Sequence, residues 1–360
     1  MNSIPYKRKS FSIIAMLTLL LAMISVAGCT SKRNLSATPK GASDQPLVLH
    51  LAFFPNVTHA AALVGTGNGE FAKTIGEGVK IEEQIYSAGP SEIEALFAGQ
   101  VDIGYIGPGP AVNGFLKSKG KSLRIIAGAS SGGTALVVRS DSGISDIKGL
   151  SGKRVAVPQT GGTQDISLRH AMQLANLAST DKGGTVGVIP AAPADALTLF
   201  VKKEMDAAWM AEPWASRLEK EGGGKMLQDE RELWPDKKFA TSVVIVRTQF
   251  LQEHAEVVEK FLEAHVKTVD WILQHRSEAE ILIGERLKKL TGKSLPPDIL
   301  KTSLDRMDLT YDPLKETVLT FADWSKSLGY LREDRTALGE LFDLKPLNAV
   351  LKREQKSSIP

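Results

Sequence analysis

Apolar and polar positions fall into short runs that alternate between two periods along most of the chain. Residues 47–53, 79–86, 101–106, 123–129 and 135–139 are compact, β-branched or apolar runs and read as strands. Between them, residues 59–70, 91–98 and 110–119 carry helical spacing; Ser91 with Glu94 three residues on forms a capping-box pattern. The pattern restarts after Gly149, with strands expected at 154–157, 186–189, 206–210 and 241–247, and helices at 164–176, 195–203 and 214–221. From residue 248 onward the chain reads as nearly all helix, over 254–274, 278–290, 297–307 and 315–328. Strand–helix–strand repetition of this kind predicts an α/β fold, each unit a mostly parallel sheet flanked by helices.

Two such units, with the chain passing out, back and closing in helices, predict two lobes. Residues 47–132 and 241–360 form the first lobe and residues 133–240 the second, with crossings near residues 130–134 and 239–241. The Gly222-Gly223-Gly224 run reads as a flexible surface turn.

The N-terminal segment has a different character. Lys7, Arg8 and Lys9 precede an apolar run over residues 11–25, followed by Val26-Ala27-Gly28-Cys29. That is the layout of an export signal, and its end resembles the bacterial lipobox, in which the cysteine becomes the diacylated first residue. The other reading is an uncleaved anchor, but residues 11–28 are at the short end for spanning ~30 Å of hydrocarbon. Residues 1–28 are therefore expected to be a lipoprotein signal. Residues 29–46, rich in Ser, Thr, Lys, Pro and Gly, are expected to be a flexible tether. The protein should then be extracytoplasmic and held to the bacterial cell membrane through lipid on Cys29.

Charge and cysteine count narrow the function. Without residues 1–28, which carry three of the 44 basic residues and no acid, 41 basic groups face 41 acidic ones. A nucleic-acid binder usually shows a basic surplus, and none is expected here. Cys29 is the only cysteine, so internal disulfides, cysteine-based zinc sites and CxxC redox chemistry are excluded. The six histidines show no short metal-binding spacing. No metal or cofactor is expected.

Candidate chemistry sits after the strands, where open α/β sheets bind ligands. The segments are 54–59 with Asn56 and His59, 107–110 with Gly107 and Pro108, 130–134 with Ser131 and Gly132, 159–164 with Gly162, Thr163 and Gln164, and 211–214 with Glu212 and Trp214. All but the third lead into predicted helix starts, whose free N–H groups attract anions. Glycine permits close backbone approach, and hydroxyls add donors. Each segment alone could be a turn with an N-cap; five at one edge point to an anion site. His59 opens a helix, which favours its neutral, hydrogen-bonding form. Glu212 could meet an amine or cap a helix, and Trp209 and Trp214 could be core or ligand contacts. Residues 128–132 match GxSxG around Ser130, but an apolar β-rich run follows where a nucleophile elbow needs a helix. A serine hydrolase is thus a remote alternative, and no catalysis is expected.

The segments "FFPNVTHAAALVG", "AGPSEIEALFAGQVDIGYIGPGPAVNGF", "GASSGGTALVVR", "GKRVAVPQTGGTQDISLRHAM" and "DALTLFVKKEMDAAWMAEPWASRL" resemble the solute-binding proteins of bacterial ABC importers, in the aliphatic sulfonate, taurine and nitrate branch. The likeness runs over residues 47–351. It implies a type II periplasmic-binding-protein-like fold whose lobes close over a ligand, and delivery to an ABC permease driven by a cytoplasmic ATPase. It also implies that Asn56, His59, Gly107, Pro108, Ser131, Gly132, Gly162, Thr163, Gln164, Glu212 and Trp214 contact the ligand. Nitrate-binding members use a cation that finds no match here, so a small organic anion of the aliphatic sulfonate type is expected, with taurine, nitrate or a thiamine pyrimidine precursor as alternatives. The receptor is expected to act as a monomer.

Overall fold

The structure, a computed structural model, describes residues 46–333 and 335–360. The expected signal, the tether through residue 45 and the Cys29 lipidation site lie outside the described residues. In chain order the strands are β1 (Leu47–Phe53), β2 (Val79–Ile85), β3 (Ile103–Ile106), β4 (Leu123–Gly132), β5 (Thr134–Arg139), β6 (Arg154–Val157), β7 (Gly187–Pro190), β8 (Ala207–Ala211), β9 (Gly224–Asp229), β10 (Ala240–Arg247) and β11 (Met307–Leu309).

They form two sheets, ordered β11-β4-β10-β3-β1-β2 and β7-β6-β8-β5-β9. In the first, β1 to β4 share one direction, and β10 and β11 run against them. In the second, β6 to β9 share one direction and only β5 opposes them. The strands entered after each lobe-to-lobe passage, β5 and β10, thus run antiparallel to their sheet neighbours, as does the short edge strand β11. β10 lies between β3 and β4 with Val243, Val244, Ile245 and Val246 wholly buried, as a strand covered on both faces requires.

The first lobe's core is built by helix Ala255–Gln274, whose Val258, Phe261, Leu262, Val266 and Val269 pack with Leu49, Leu51 and Phe53. His265 belongs to that core: its Nε2–H donates to the Gly128 carbonyl at 2.9 Å, and its Nδ1 accepts from the Tyr105 hydroxyl at 2.8 Å. The second lobe's smaller core surrounds Leu136, Val138, Leu168 and the wholly buried Trp209.

Several local expectations are corrected. The 130–134 segment is not a loop: β4 continues through Gly132 because Ser130 and Ser131 pair with β10 on one side and β11 on the other. Only Gly133 separates β4 from β5, and Gly132 and Gly133 both have φ of +73°, the left-handed region glycine tolerates. The expected helix 59–70 is a 3-10 turn Val57–His59 followed by helices Ala60–Gly67 and Glu70–Ile75, split at Gly69 with φ of +78°. The Ser91–Glu94 capping box does not form. That helix starts two residues earlier, as Gly89–Phe97, and the Ser91 hydroxyl reaches the other lobe instead. Strands β9 and β11 were not expected, and Gly224 opens β9 rather than lying in a turn.

Candidate functional site

The carboxyl ends of β1, β2, β3, β6, β7 and β8 converge on one cleft. It encloses a cavity of about 40 Å³ lined by residues that follow all six strands. Asn56, His59, Gly107, Gly162, Thr163, Gln164 and Trp214 reach the lining; Pro108, Ser131, Gly132 and Glu212 do not. Phe54, Thr58, Thr241, Pro158, Pro193 and the segment Ser87-Ala88-Gly89 also line it and were missed. The rule that exposed the other loops, applied to the end of β2, would have found Ser87–Gly89.

Among the described residues, none of the lining is Asp, Glu, Lys or Arg. Its polarity comes from neutral donors. Helix Thr163–Leu174 begins at the cavity with Gly162 as its N-cap, and the amides of Thr163, Gln164 and Asp165 have no partner among the described residues. Such unfilled N–H groups carry the positive end of the helix dipole. Asn56 accepts the Thr58 hydroxyl at 2.7 Å through Oδ1, which leaves its Nδ2 donors free. His59 is 2% exposed and stacks on Phe54 with ring centroids 4.5 Å apart. Its Nδ1 accepts the Phe54 backbone N–H at 3.1 Å, so the neutral ring carries its proton on Nε2. Burial lowers its pKa to about 3, which keeps the ring neutral, and the Nε2–H has no partner among the described residues.

Both lobes meet at this cavity. The Thr163 Oγ1 of the second lobe accepts the Gly109 N–H of the first at 3.3 Å, and Ser91 Oγ donates to Gln159 Oε1 at 3.1 Å. Beside the cleft, Tyr330 Oη donates to Asp165, and His170 stacks on Trp324 with centroids 4.0 Å apart. The lobes are closed on one another. Thr163 still has its hydroxyl proton to give, so Thr163→Ala should weaken anion binding by ~1–2 kcal/mol, about 5- to 30-fold. Calorimetry with a bound sulfonate checks this, and unchanged affinity would remove Thr163 from the headgroup contacts.

The remaining sequence candidates have structural duties. Ser131 Oγ accepts the Phe239 N–H at 3.3 Å, and the Gly132 carbonyl accepts the Thr241 hydroxyl. Pro108 opens helix Pro108–Lys117 beside the cavity without lining it. Ser130 is buried in β4, its hydroxyl bonded to the Thr58 carbonyl at 2.9 Å and to Ser242 at 2.7 Å, in no elbow. Glu212 is a cap and more: it accepts the Ser216 N–H and O–H, the Ser303 O–H and the Arg306 guanidinium. Trp209 is core and donates to Glu230 at 2.8 Å, whereas Trp214 faces the cleft.

A donor-lined cavity between two α/β lobes, at the carboxyl ends of their strands, defines a two-lobed solute-binding protein. Residues 43–283 match the NMT1-like family, and the chain belongs to it. A Bacillus subtilis (strain 168) protein named for aliphatic sulfonate binding is 28% identical over 250 residues, 69% of this chain and 72% of that one. The taurine-binding periplasmic protein of Escherichia coli (strain K12) is 29% identical over 206 residues, 57% of this chain and 61% of its own length. In fold, the alkanesulfonate-binding protein of Xanthomonas axonopodis pv. citri, solved with MOPS bound, matches with a TM-score of 0.67 at 19% identity, over 81% of this chain and 96% of that one. The periplasmic nitrate-binding protein of Synechocystis PCC 6803 matches with a TM-score of 0.74 at 15% identity, over 88% and 92% of the two chains.

Proposed function

We propose that this protein is the extracytoplasmic receptor of an ABC importer, anchored by lipid on Cys29, that captures an organic sulfonate and hands it to a membrane permease driven by a cytoplasmic ATPase. The observation that carries the ligand class is the inner cavity: helix N-termini, a neutral histidine, amides and a threonine hydroxyl, with no charged side chain. Three oxygens of a sulfonate can each take fixed N–H or O–H donors, and the helix dipoles offset a single negative charge. Among the relatives' ligands, taurine would bring an ammonium, and no carboxylate lines the cavity. Glu212, the one acid among the candidate residues, is engaged instead by Ser216, Ser303 and Arg306. Binding then favours the closed state by the ligand's differential affinity for it.

Titration calorimetry with butanesulfonate, taurine, nitrate, sulfate and a pyrimidine tests this reading. Butanesulfonate should bind and the others should bind more weakly. Its affinity should be flat from pH 5.5 to pH 8, because His59, with a pKa of about 3, stays neutral throughout. No sulfonate binding, or a stronger response to nitrate or the pyrimidine, overturns the ligand assignment.

A further inference from the structure

Helix Thr163–Leu174 turns its free amides to the ligand cavity, yet it carries an acid in the same turn: Asp165, wholly buried. A carboxylate there draws on the positive helix end that an anionic ligand needs, and the two negative charges oppose one another. Asp165 does not line the cavity. Its carboxylate is folded back, with Oδ2 accepting the Gly161 N–H at 2.8 Å and Oδ1 accepting Arg169 Nε–H at 2.7 Å. Gly161, with φ of +75°, forms the turn that leads to Gly162 and Thr163 in the lining, so Asp165 also fixes that turn.

Arg169 does not serve Asp165 alone. Its Nη1 reaches Ser179 at 2.6 Å and Asp181 at 3.2 Å, so one guanidinium is divided between two acids. A further donor comes from the other lobe, where Tyr330 Oη donates to Asp165 Oδ2 at 2.5 Å. Burial and the neighbouring carboxylate push the pKa of the Tyr330 hydroxyl up, which keeps its proton in place to donate. Tyr330 lies just beyond helix Lys315–Ser327, whose Val318 and Ala322 pack in the first lobe with Val243 and Ile245. Trp324 and Ser327 of that helix meet His170 and Gln173 of the second lobe. A cavity of about 200 Å³ lies between these faces, lined by Arg169, Met172, Leu328 and Tyr330. The Tyr330 hydroxyl is thus a point contact beside a void with room and polar partners for water, which can replace it when the lobes part.

We infer that Tyr330 is a positioning residue of the anion site: when the lobes close, its hydroxyl takes up the Asp165 carboxylate and leaves the free amides of residues 163–165 to the ligand. Tyr330 does not line the ligand cavity and acts only through Asp165. The inference rests on the anion-receptor reading above and goes beyond it, since it couples closure to the strength of the helix end rather than to a contact with the ligand.

The test is calorimetry with butanesulfonate on the full-length protein, comparing wild type, Tyr330→Phe, Asp165→Asn and the double variant, together with thermal melting of each without ligand. Tyr330→Phe should weaken binding about 10- to 30-fold, as loss of a hydrogen bond to a charged group does, and leave the ligand-free melting temperature nearly unchanged. In the Asp165→Asn background the same change should cost about threefold or less, because the charge it answers is gone. A melting temperature that falls while affinity holds, or an equal loss of affinity in both backgrounds, overturns the inference and leaves the sulfonate reading standing. Should Asp165→Asn not fold, the Tyr330→Phe affinity and melting temperature decide alone. If wild type binds nitrate or sulfate instead of butanesulfonate, the sulfonate reading falls and the same four proteins are compared with that anion. Failure of wild type to bind any of these anions overturns both.

Discussion

Replacing Gly107 with alanine should leave the fold intact and weaken ligand capture about 10- to 100-fold, a cost of the size that overpacking a closed contact exacts. Gly107 has φ of −70° and ψ of 152°, an ordinary extended conformation that any residue adopts. Its backbone gives no reason for glycine. The reason lies across the cleft, where an added Cβ would meet Thr163 Oγ1 at 2.1 Å and Thr163 Cβ at 3.2 Å. Within its own lobe, the nearest such contact is the Thr241 carbonyl at an unstrained 3.7 Å. The methyl is therefore harmless in an open protein and a wedge in a closed one. Thermal melting without ligand should be nearly unchanged, while calorimetry shows the loss and small-angle scattering shows a larger radius with ligand present. Combining Gly107→Ala with Thr163→Ala should cost less than the two changes summed, since the second removes the atom the first strikes. Wild-type affinity in Gly107→Ala would mean that the ligand binds without this contact.

Much of that geometry could be read from the chain before folding, because it is local. A strand followed by glycine and a helix start exposes N–H groups wherever it occurs, so the position of Gly162, Thr163 and Gln164 at the cavity is legible without knowledge of partners. Asn56 and His59 are legible there too, as the turn between a strand end and a helix. What could not be read depends on residues distant in sequence. Ser131 looked like a loop hydroxyl, yet its strand is held by pairing to Ala240 and Asp308. Trp209 and Trp214 are five residues apart with similar surroundings in sequence; β8 ends between them, so one points into the core and the other stands at the cleft. Ser87–Gly89 was hidden by placing a helix start at Ser91, where the capping pattern was good but the hydroxyl's partner, Gln159, lies in the other lobe. Edge strands such as β9, with half-buried and exposed positions and none fully buried, show no clear period at all.

Glu212 is the sharpest case of a distant partner, and it carries the largest expected change in stability. Its carboxylate is 1% exposed. Burial pushes its pKa up, and Arg306, whose Nη1 sits 3.1 Å from Oε1, pulls it back down. The same Nη1 reaches Glu219 at 2.6 Å, so one arginine of the first lobe ties two acids of the second. Arg306→Met keeps the apolar stem and removes the charge, leaving a buried carboxylate with hydroxyl and amide donors alone. Breaking a buried pair from one side costs ~3–5 kcal/mol, and this is the expected loss at pH 8 by chemical denaturation. The pH dependence follows from linkage. Without the guanidinium, the folded-state pKa of Glu212 rises further above its unfolded value, so the folded variant binds the extra proton and gains stability as the pH falls. The deficit against wild type should therefore be greatest above neutrality and shrink as the pH approaches 4.5, the solvent-exposed acid's ordinary value. Glu212→Gln combined with Arg306→Met should recover most of the loss and remove that slope, because the amide can still accept from Ser216 and Ser303 without a charge to compensate. A single Arg306→Met variant as stable as wild type at pH 8 would show instead that Glu212 gains nothing from its cation, and that the hydroxyls and the Ser216 amide suffice to hold the carboxylate in place.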